Sequence, residues 1–182
     1  MSTLADKVLA LHAGLEAAGL PHAFGGALAL GWCTAQPRAT SDIDLNVFVP
    51  TAAVRRVLEA MPASVQPTAQ NQRELRRDGQ SRFWWDTTPV DVFLNTHAFH
   101  RQAMKRTSLE PFAGTMLPFL SCADLAVFKS FFNRRRDWAD LEDMFKARTV
   151  EPAVVIDTMQ KLLGNEDERV HKLVELAAEI SD

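Results

Sequence analysis

The sequence predicts an α/β (α+β) fold in which a mixed sheet flanked by helices is followed by a C-terminal helical region packed on that core. Over residues 1–120, segments with apolar residues at helical spacing alternate with segments in which every second residue is apolar. Residues 121–182 show helical spacing alone. The length of 182 residues fits one domain with a helical appendage. We therefore predict an α/β core at 1–120 and a helical region at 121–182.

The first half of the predicted core contains elements with clear limits. The spacing of Leu4, Val8 and Leu11 predicts the first helix, and Gly19 ends it. From Ile43 onward, aliphatic residues alternate with Asp and Asn, which predicts a strand with one apolar and one polar face. The predicted elements are a helix at Thr3–Ala18, a strand at Pro21–Phe24, a helix at Ala27–Thr34, a strand at Ile43–Val49 and a helix from an N-cap at Thr51 to Met61.

Shorter extended segments are predicted for the second half of the core. The stretch Ser64–Asn95 favours extended structure, with Asp78 and Gly79 as a turn signal between two strands. Near its end aliphatic residues alternate with Asp91, so this carboxylate faces away from the aliphatic side. The predicted elements are strands at Ser81–Asp86 and Pro89–Leu94, a helix at Thr96–Arg106, a strand or hairpin within Thr107–Leu120, and helices at Ser121–Asn133, Trp138–Lys146, Pro152–Leu163 and Glu166–Ile180.

Bulk composition argues against several classes of protein. The formal net charge of -3 provides no general attraction to nucleic acid. No stretch approaches the roughly 20 apolar residues of a membrane span, and residues 1–18 lack the basic segment and apolar run of a secretion signal. Cys33 and Cys122 lie far apart without metal-binding spacing, which favours free thiols over a disulfide or a zinc site. We therefore expect a cytoplasmic protein without a membrane partner.

Two carboxylates stand at the start of the strand that begins at Ile43. Asp42 and Asp44 are two residues apart, so both project from one face of that strand. Hard cations such as Mg²⁺ take oxygen ligands, usually one or two carboxylates together with substrate phosphates. Two such ions about 3.5–4 Å apart clamp the attacking and leaving oxygens of a phosphoryl displacement. Asp91 is the predicted third carboxylate and Asp86 is its rival, while a strand or helix cap is the alternative interpretation of an isolated Asp-x-Asp pair.

A glycine pair precedes these carboxylates. Gly25 and Gly26 lie between a predicted strand and a predicted helix, where glycine lets the backbone approach a ligand and directs helix N-terminal amides at phosphates. A tight turn without any ligand is the alternative interpretation.

The residues from Phe24 to Phe48 read FGGALALGWCTAQPRATSDIDLNVF. This stretch resembles the core of the polymerase β-like nucleotidyltransferase superfamily, whose signature is a Gly-Gly or Gly-Ser turn, a short helix and a strand bearing Asp-x-Asp. The series from Arg38 to Leu45 is similar to that of small bacterial abortive-infection (AbiEii-like) and minimal nucleotidyltransferases. In the tail the resemblance is carried by Lys129, Arg134, Arg135, Arg136, Asp137, Asp140 and Leu141.

The resemblance implies roles for the residues of both motifs. Gly25 and Gly26 would hold the triphosphate of the nucleotide. Asp42 and Asp44 would bind the metal ions. Asp91, as the third carboxylate, would help to activate the hydroxyl group of the acceptor.

Four further residues are predicted to contact the nucleotide. This chain carries Gly-Gly-Ala where relatives carry Gly-Ser, and Thr40 or Ser41 is expected to supply the missing hydroxyl. Arg38 either neutralises phosphate charge or pairs with a local carboxylate. Lys129 either reaches the triphosphate or is a surface lysine whose stem packs along its helix.

These features predict a metal-dependent nucleotidyltransferase, which moves a nucleoside monophosphate from an NTP such as ATP to an acceptor hydroxyl and releases pyrophosphate. Two Mg²⁺ ions, with Mn²⁺ as the alternative, are the predicted cofactors. The acceptor is a tRNA end, a protein hydroxyl as in toxin–antitoxin systems, or an aminoglycoside-like molecule, and an antitoxin-like protein is a further predicted partner. The alternatives are an inactive member of the same fold that binds a nucleotide or a protein, and a structural domain whose Asp-x-Asp pair only caps a strand.

Overall fold

A computed structural model of the chain describes residues 2–36 and 39–181, and these residues form two compact units. One unit comprises residues 2–28 and 39–120, and the other comprises residues 29–36 and 121–181. The helices are α1 (Leu4–Ala17), α2 (Gly26–Thr34), α3 (Val54–Ala60), α4 (Ala69–Asp78), α5 (Ala98–Met104), α6 (Cys122–Phe132), α7 (Arg135–Lys146), α8 (Pro152–Leu163) and α9 (Glu168–Ser181). The strands are β1 (His22–Phe24), β2 (Ile43–Pro50), β3 (Gln80–Trp85), β4 (Thr88–Asn95), β5 (Ser108–Phe112) and β6 (Thr115–Phe119).

The first unit contains a mixed sheet with the strand order β3-β4-β2-β1-β6-β5. The pairs β2/β4 and β1/β6 are parallel, whereas the other neighbouring strands are antiparallel. This arrangement confirms the predicted mixed sheet flanked by helices. Because β2 and β4 lie side by side in the middle of the sheet, the predicted carboxylates come from adjacent strands.

One face of the two central strands, β2 and β4, is apolar and buried in the core. Ile43, Leu45, Val90 and Val92 are fully buried, as the alternation in both strands predicts. Helix α1 begins with a capping box between Thr3 and Asp6. Its buried stripe consists of Val8, Leu11 and Leu15, all with no exposed surface. These strands and this helix are therefore positioned by local patterns that are visible in the sequence.

Two predictions in the segment after β2 are wrong. Residues Ala69–Asp78 form helix α4 rather than an extended piece, with Thr68 and Asn71 forming its capping box. The apolar pattern gave no helical signal because Leu75 is the only buried residue that the helix contributes. Gly79 has a φ of 69° and ends this helix in the left-handed conformation, so it is a helix C-cap and not a hairpin turn.

The second difference concerns Thr51, which does not act as an N-cap. It begins a short 3₁₀ turn that leads into α3, and the side chain of Pro50 cannot cap that turn. The later hairpin β3–β4, helix α5 and hairpin β5–β6 occur where the sequence predicts them, within a few residues.

The cysteines form a disulfide bond, so the expectation of free thiols is wrong. The Cα atoms of Cys33 and Cys122 are 5.5 Å apart although 89 residues separate them in the chain. Such a separation leaves no sequence signature, because only the tertiary fold brings the two residues together. Disulfides are typical of proteins from oxidising compartments, and the cytoplasmic location stays a prediction.

The second unit is helical, with α6 packing on α7 and α8, and α9 packing on α7 and α8. Ser121 caps α6 through its hydroxyl, which accepts a hydrogen bond from the Asp124 N–H, as the sequence predicts. The core of this unit is lined by side chains that are almost fully buried, namely Leu125, Leu141, Met144, Val155, Met159, Val170 and Leu173. Within the described ranges, every helix is too short or too polar to cross a bilayer.

Candidate active site

The register between the two central strands brings two carboxylates together. Asp44 on β2 is the direct partner of Asp91 on β4 in a parallel ladder. Partners in such a ladder project from the same face, and neighbouring strands are about 4.8 Å apart. Asp42 lies one residue before β2, and the two-residue alternation directs it to the face of Asp44. Three of the predicted carboxylates therefore share one face, opposite the apolar face of the sheet.

The glycine turn lies directly against Asp44. The N–H of Gly25 donates to the Asp44 carbonyl at 2.9 Å, which ties the turn to β2. Gly26 has a φ of 53°, and a Cβ at this position would lie 1.7 Å from Oδ2 of Asp44. Only glycine can therefore stand beside this carboxylate without displacing it. The Gly25 N–H is hydrogen-bonded within the fold. Of the two glycines, Gly26 is therefore the one that lies against the Asp44 carboxylate.

Arg82 supplies a positive charge to the same cluster. It is the cross-strand partner of Asp91 in the β3–β4 hairpin. Its Nε donates to Asp91 Oδ1 at 2.7 Å and its Nη2 donates to Asp91 Oδ2 at 2.6 Å. These hydrogen bonds and the charge of Asp91 raise the pKa of the Arg82 guanidinium, and Asp42 and Asp44 act in the same direction. The guanidinium is therefore hydrogen-bonded to Asp91, and the charges of Asp42 and Asp44 favour its protonated form.

The loop before β2 contributes an orienting contact. The Thr40 hydroxyl donates to Asp42 Oδ1 at 2.5 Å, so this hydroxyl is engaged with the carboxylate. Ser41 is exposed at the bend that follows. Arg38, which was predicted to neutralise phosphate or pair with a carboxylate, lies outside the described residues. Thr40 thus positions Asp42, while contacts of Thr40 and Ser41 with a nucleotide stay predictions.

Asp86, the rival third carboxylate, lies elsewhere. It has a φ of 54° in the turn between β3 and β4, and its side chain is 68% exposed. Its Oδ2 is 3.3 Å from Nζ of Lys7, which also donates to the Trp85 carbonyl and the Thr88 hydroxyl. The strand register therefore pairs Asp91, and not Asp86, with Asp44.

The donor atoms fit a hard divalent cation. Asp42, Asp44 and Asp91 offer carboxylate oxygens alone, which is the ligand type that Mg²⁺ and Mn²⁺ prefer. The ligand oxygens of the three residues do not all lie within 4.8 Å of one another, and the Asp91 carboxylate is hydrogen-bonded to Arg82. The residues therefore provide the chemistry of such a site, and closing it requires Asp91 to share or release the guanidinium.

Lys129, which was predicted to reach the triphosphate, belongs to the helical unit. It is 5% exposed, so it is not a surface lysine. Its Nζ donates to Asp140 at 2.5 Å and lies 3.7 Å from Asp137, which also accepts from Arg134 Nε at 2.8 Å. Lys129, Asp137 and Asp140, three of the residues that carry the resemblance in the tail, thus form a buried ion-pair network. A contact between Lys129 and a triphosphate stays a prediction.

The pairing of Arg82 with Asp91 is a feature of the site that the sequence analysis missed. The signal was present, because the two-residue turn formed by Asp86 and Thr87 sets the register of the hairpin. Counting outward from that turn pairs Arg82 with Asp91. The predicted strands end at Asp86 and resume at Pro89, which places the turn one residue later, at Thr87 and Thr88, and does not pair Arg82 with Asp91.

Comparisons with known proteins identify the fold. The sequence matches no protein-family model and no curated protein. The solution structure of the antibiotic-resistance factor ANT(2'')-Ia is similar to this chain, with 13% sequence identity and a TM-score of 0.56. The similarity extends over 97% of this chain and 90% of the ANT(2'')-Ia chain. The crystal structure of ANT(2")-Ia in complex with adenylyl-2"-tobramycin is similar over 99% of this chain and 98% of the ANT(2")-Ia chain, with 12% sequence identity and a TM-score of 0.57. These similarities establish the nucleotidyltransferase fold for this chain.

Proposed function

We propose that this protein is a metal-dependent nucleotidyltransferase that transfers a nucleoside monophosphate from an NTP to an acceptor hydroxyl. The observation that carries the proposal is the register of Asp44 with Asp91, with Asp42 on the same face and Gly26 against the Asp44 carboxylate. The similarity in fold to ANT(2")-Ia supports it. The AbiEii-like subtype and an antitoxin-like partner rest on the sequence resemblance alone.

Each residue of the cluster has a proposed role. Asp42, Asp44 and Asp91 would hold Mg²⁺ or Mn²⁺, which when bound neutralises the phosphates and stabilises the charge that develops on them. Thr40 keeps the Asp42 carboxylate in place through its hydrogen bond. Gly26 carries no side chain, which allows the Asp44 carboxylate to lie against the glycine turn that would hold the triphosphate.

The proposed reaction is an in-line displacement at the α-phosphorus. The acceptor oxygen forms a bond to this phosphorus while the bond from phosphorus to the oxygen that bridges to the β-phosphate breaks. Pyrophosphate leaves with that bridging oxygen, and Asp91 accepts the proton of the acceptor hydroxyl. Catalysis then depends mainly on positioning and electrostatics rather than on a covalent intermediate with the protein.

A cationic small molecule of the aminoglycoside type is the proposed acceptor. The net charge of -3 favours a positively charged acceptor over a polyanionic tRNA. The complex of ANT(2")-Ia with adenylyl-2"-tobramycin shows such an adenylylated molecule bound to a protein of the same fold. A tRNA end and a protein hydroxyl are the competing acceptors.

The test is a transfer assay with each α-labelled NTP, Mg²⁺ or Mn²⁺, and separate acceptor pools of aminoglycosides, tRNA and protein. We expect labelled aminoglycoside and pyrophosphate with the wild type, and neither with Asp42→Asn plus Asp44→Asn. Asp86→Asn is the matched control, because it removes a carboxylate outside the cluster. Label in tRNA or protein would refute the proposed acceptor, and no product with any acceptor would refute the proposed activity. Metal-dependent nucleotide binding without product would instead indicate the inactive alternative.

A further inference from the structure

A second group of potential metal ligands lies in the first unit, away from the three aspartates. It consists of His12, Glu16 and His22, and one ligand atom from each of these residues lies within 4.8 Å of the others. Among the described residues this is the one group of three or more His, Cys, Asp or Glu side chains that meets this limit. The proposed nucleotidyl transfer makes no use of it.

The chain builds this cluster from one helix and the strand that follows. His12 and Glu16 are four residues apart on α1, so they lie on the same face one turn apart. After the helix, Gly19 adopts a φ of 61° and the N–H of Leu20 donates to the Leu15 carbonyl at 2.9 Å. This tight reversal returns the chain along the end of α1 and brings His22 next to His12.

The hydrogen bonds of His22 determine which of its nitrogens is a ligand. Nδ1 of His22 is 2.8 Å from the Leu20 carbonyl, which can only accept, so Nδ1 carries the ring hydrogen. Nε2 therefore bears the lone pair, and it lies 2.9 Å from Nδ1 of His12. A backbone carbonyl that fixes the tautomer and the ring orientation in this way is the usual support of a metal-bound histidine.

A cleft adjoins the three side chains. It has a volume of about 580 Å³, and besides His12, Glu16 and His22 it is lined by apolar residues that include Met104, Leu109 and Met116. His22, which lines the cleft, is 5% exposed, whereas Glu16 is exposed. The cluster therefore has two nitrogen donors, one oxygen donor and space for a further ligand.

We propose that His12 Nδ1, His22 Nε2 and the Glu16 carboxylate bind one Zn²⁺ ion, with the fourth ligand supplied from the cleft. Two nitrogens that each lie about 2.0–2.1 Å from a tetrahedral zinc are roughly 3.3 Å apart. The observed 2.9 Å between the two ring nitrogens thus needs only a small opening. In the metal-bound form the ring hydrogen of His12 resides on Nε2, so Nδ1 is free to coordinate and both rings stay neutral.

This site is separate from the aspartates in position and in chemistry. His22 pairs with Val47 and shares the apolar face of β2, whereas Asp44 projects from the opposite face. Histidine nitrogens favour zinc and related transition metals, while an all-carboxylate set favours Mg²⁺ and Mn²⁺. The zinc proposal stands whether or not the chain transfers nucleotides.

The test measures Zn²⁺ binding to the full chain by equilibrium dialysis with metal analysis, and Co²⁺ binding by visible absorption. We expect one Zn²⁺ per chain and the intense visible bands of tetrahedral Co²⁺, displaced by Zn²⁺. His12→Asn should abolish this binding and Glu16→Gln should weaken it by about tenfold or more. His171→Asn, at an exposed histidine on α9, is the matched control and should bind as the wild type does.

Glu16 is exposed, so Glu16→Gln tests the site even if a histidine variant fails to fold. The pair Asp42→Asn plus Asp44→Asn should keep full Zn²⁺ affinity. Zinc binding that survives both His12→Asn and Glu16→Gln, binding that is lost with the aspartate pair, or no binding by the wild type would overturn the proposal.

Discussion

Arg82 and Asp91 form a two-point ion pair across the β3–β4 hairpin, with distances of 2.7 and 2.6 Å between their donor and acceptor atoms. The arginine side chain is 52% exposed and the aspartate side chain is 16% exposed. The guanidinium thus covers the carboxylate that the proposed reaction needs for a metal ion. We therefore expect metal binding and the ion pair to compete for Asp91.

Replacing Arg82 should therefore strengthen metal binding. We expect Arg82→Gln to raise the affinity for Mg²⁺ or Mn²⁺ about fivefold, which corresponds to roughly 1 kcal/mol of removed charge repulsion. Calorimetric titration with each ion measures this change. Arg73→Gln, at an exposed arginine of α4, should leave the affinity unchanged. Weaker metal binding in Arg82→Gln would show that the arginine supports the site instead of competing.

Asp91 and Asp86 should differ sharply in their effect on turnover. Asp91→Asn removes the carboxylate that pairs in register with Asp44, and we expect kcat to fall about 10²–10⁴-fold. Asp86→Asn changes an exposed turn residue and should leave kcat unchanged. Steady-state transfer assays on both variants measure the two values of kcat. Equal losses would mean that the strand register does not select the third carboxylate.

Gly26 should tolerate no side chain. Gly26→Ala places a Cβ 1.7 Å from Asp44 Oδ2, so we expect transfer activity to be lost as the carboxylate is displaced. Gly114→Ala is the matched control, because Gly114 also has a positive φ, of 83°, but nothing lies within 4 Å of its added Cβ. Both changes carry the left-handed penalty of about 1 kcal/mol in unfolding experiments. An active Gly26→Ala would remove the turn from the proposed site.

Reduction of the disulfide should destabilise the folded protein. A bond that closes a segment of 89 residues restricts the unfolded chain, which the chain-entropy model values at up to about 4–5 kcal/mol. Urea unfolding with and without a phosphine reductant measures the difference for the wild type. The double variant Cys33→Ser plus Cys122→Ser should match the reduced wild type and show no response to reductant. Identical curves for oxidised and reduced wild type would contradict the expected contribution.

Protonation of His100 should weaken the fold in mildly acidic solution. Burial lowers the pKa of the His100 imidazole below its ordinary value of 6.5, so the unfolded chain binds the proton at higher pH than the folded chain does. The free energy of unfolding therefore falls as pH drops below about 6.5, by at most about 1.4 kcal/mol per pH unit for one proton. His100→Asn keeps an acceptor for the His97 N–H and should reduce this slope. Urea unfolding of the wild type and of His100→Asn across this pH range measures how steeply the free energy of unfolding changes with pH. The same steepness in both proteins would disprove the effect.

Local signals account for what the sequence predicted well. The alternation in β2 and β4 reflects the burial of Ile43, Leu45, Val90 and Val92, and this burial also fixes the face on which the aspartates lie. Ser121 and Asn133 mark the two ends of α6 through capping contacts that need only a few neighbouring residues. For these elements the sequence period and the tertiary environment favour the same structure.

Features that depend on distant residues were not predictable. Helix α4 buries only Leu75, so it has no apolar stripe to reveal it. The disulfide arises from packing between residues 89 positions apart, which no spacing rule encodes. The register of Asp44 with Asp91 depends on β2 and β4 being neighbours, which the sheet order decides. The sequence therefore predicts the three aspartates as candidates, whereas the direct register of Asp44 with Asp91 is found only in the sheet.

Helix α2 has a consequence for dissecting the protein into fragments. Ala29, Leu30 and Cys33 are at most 3% exposed, and they belong to the compact unit formed with residues 121–181. A polypeptide that starts at Ser121 would lack these three side chains and the sulfur partner of Cys122. Expressing the C-terminal helices by themselves should therefore give an incompletely packed piece. A fusion in which a linker joins residues 29–36 to residues 121–181 keeps these side chains and offers a better route to an isolated helical unit.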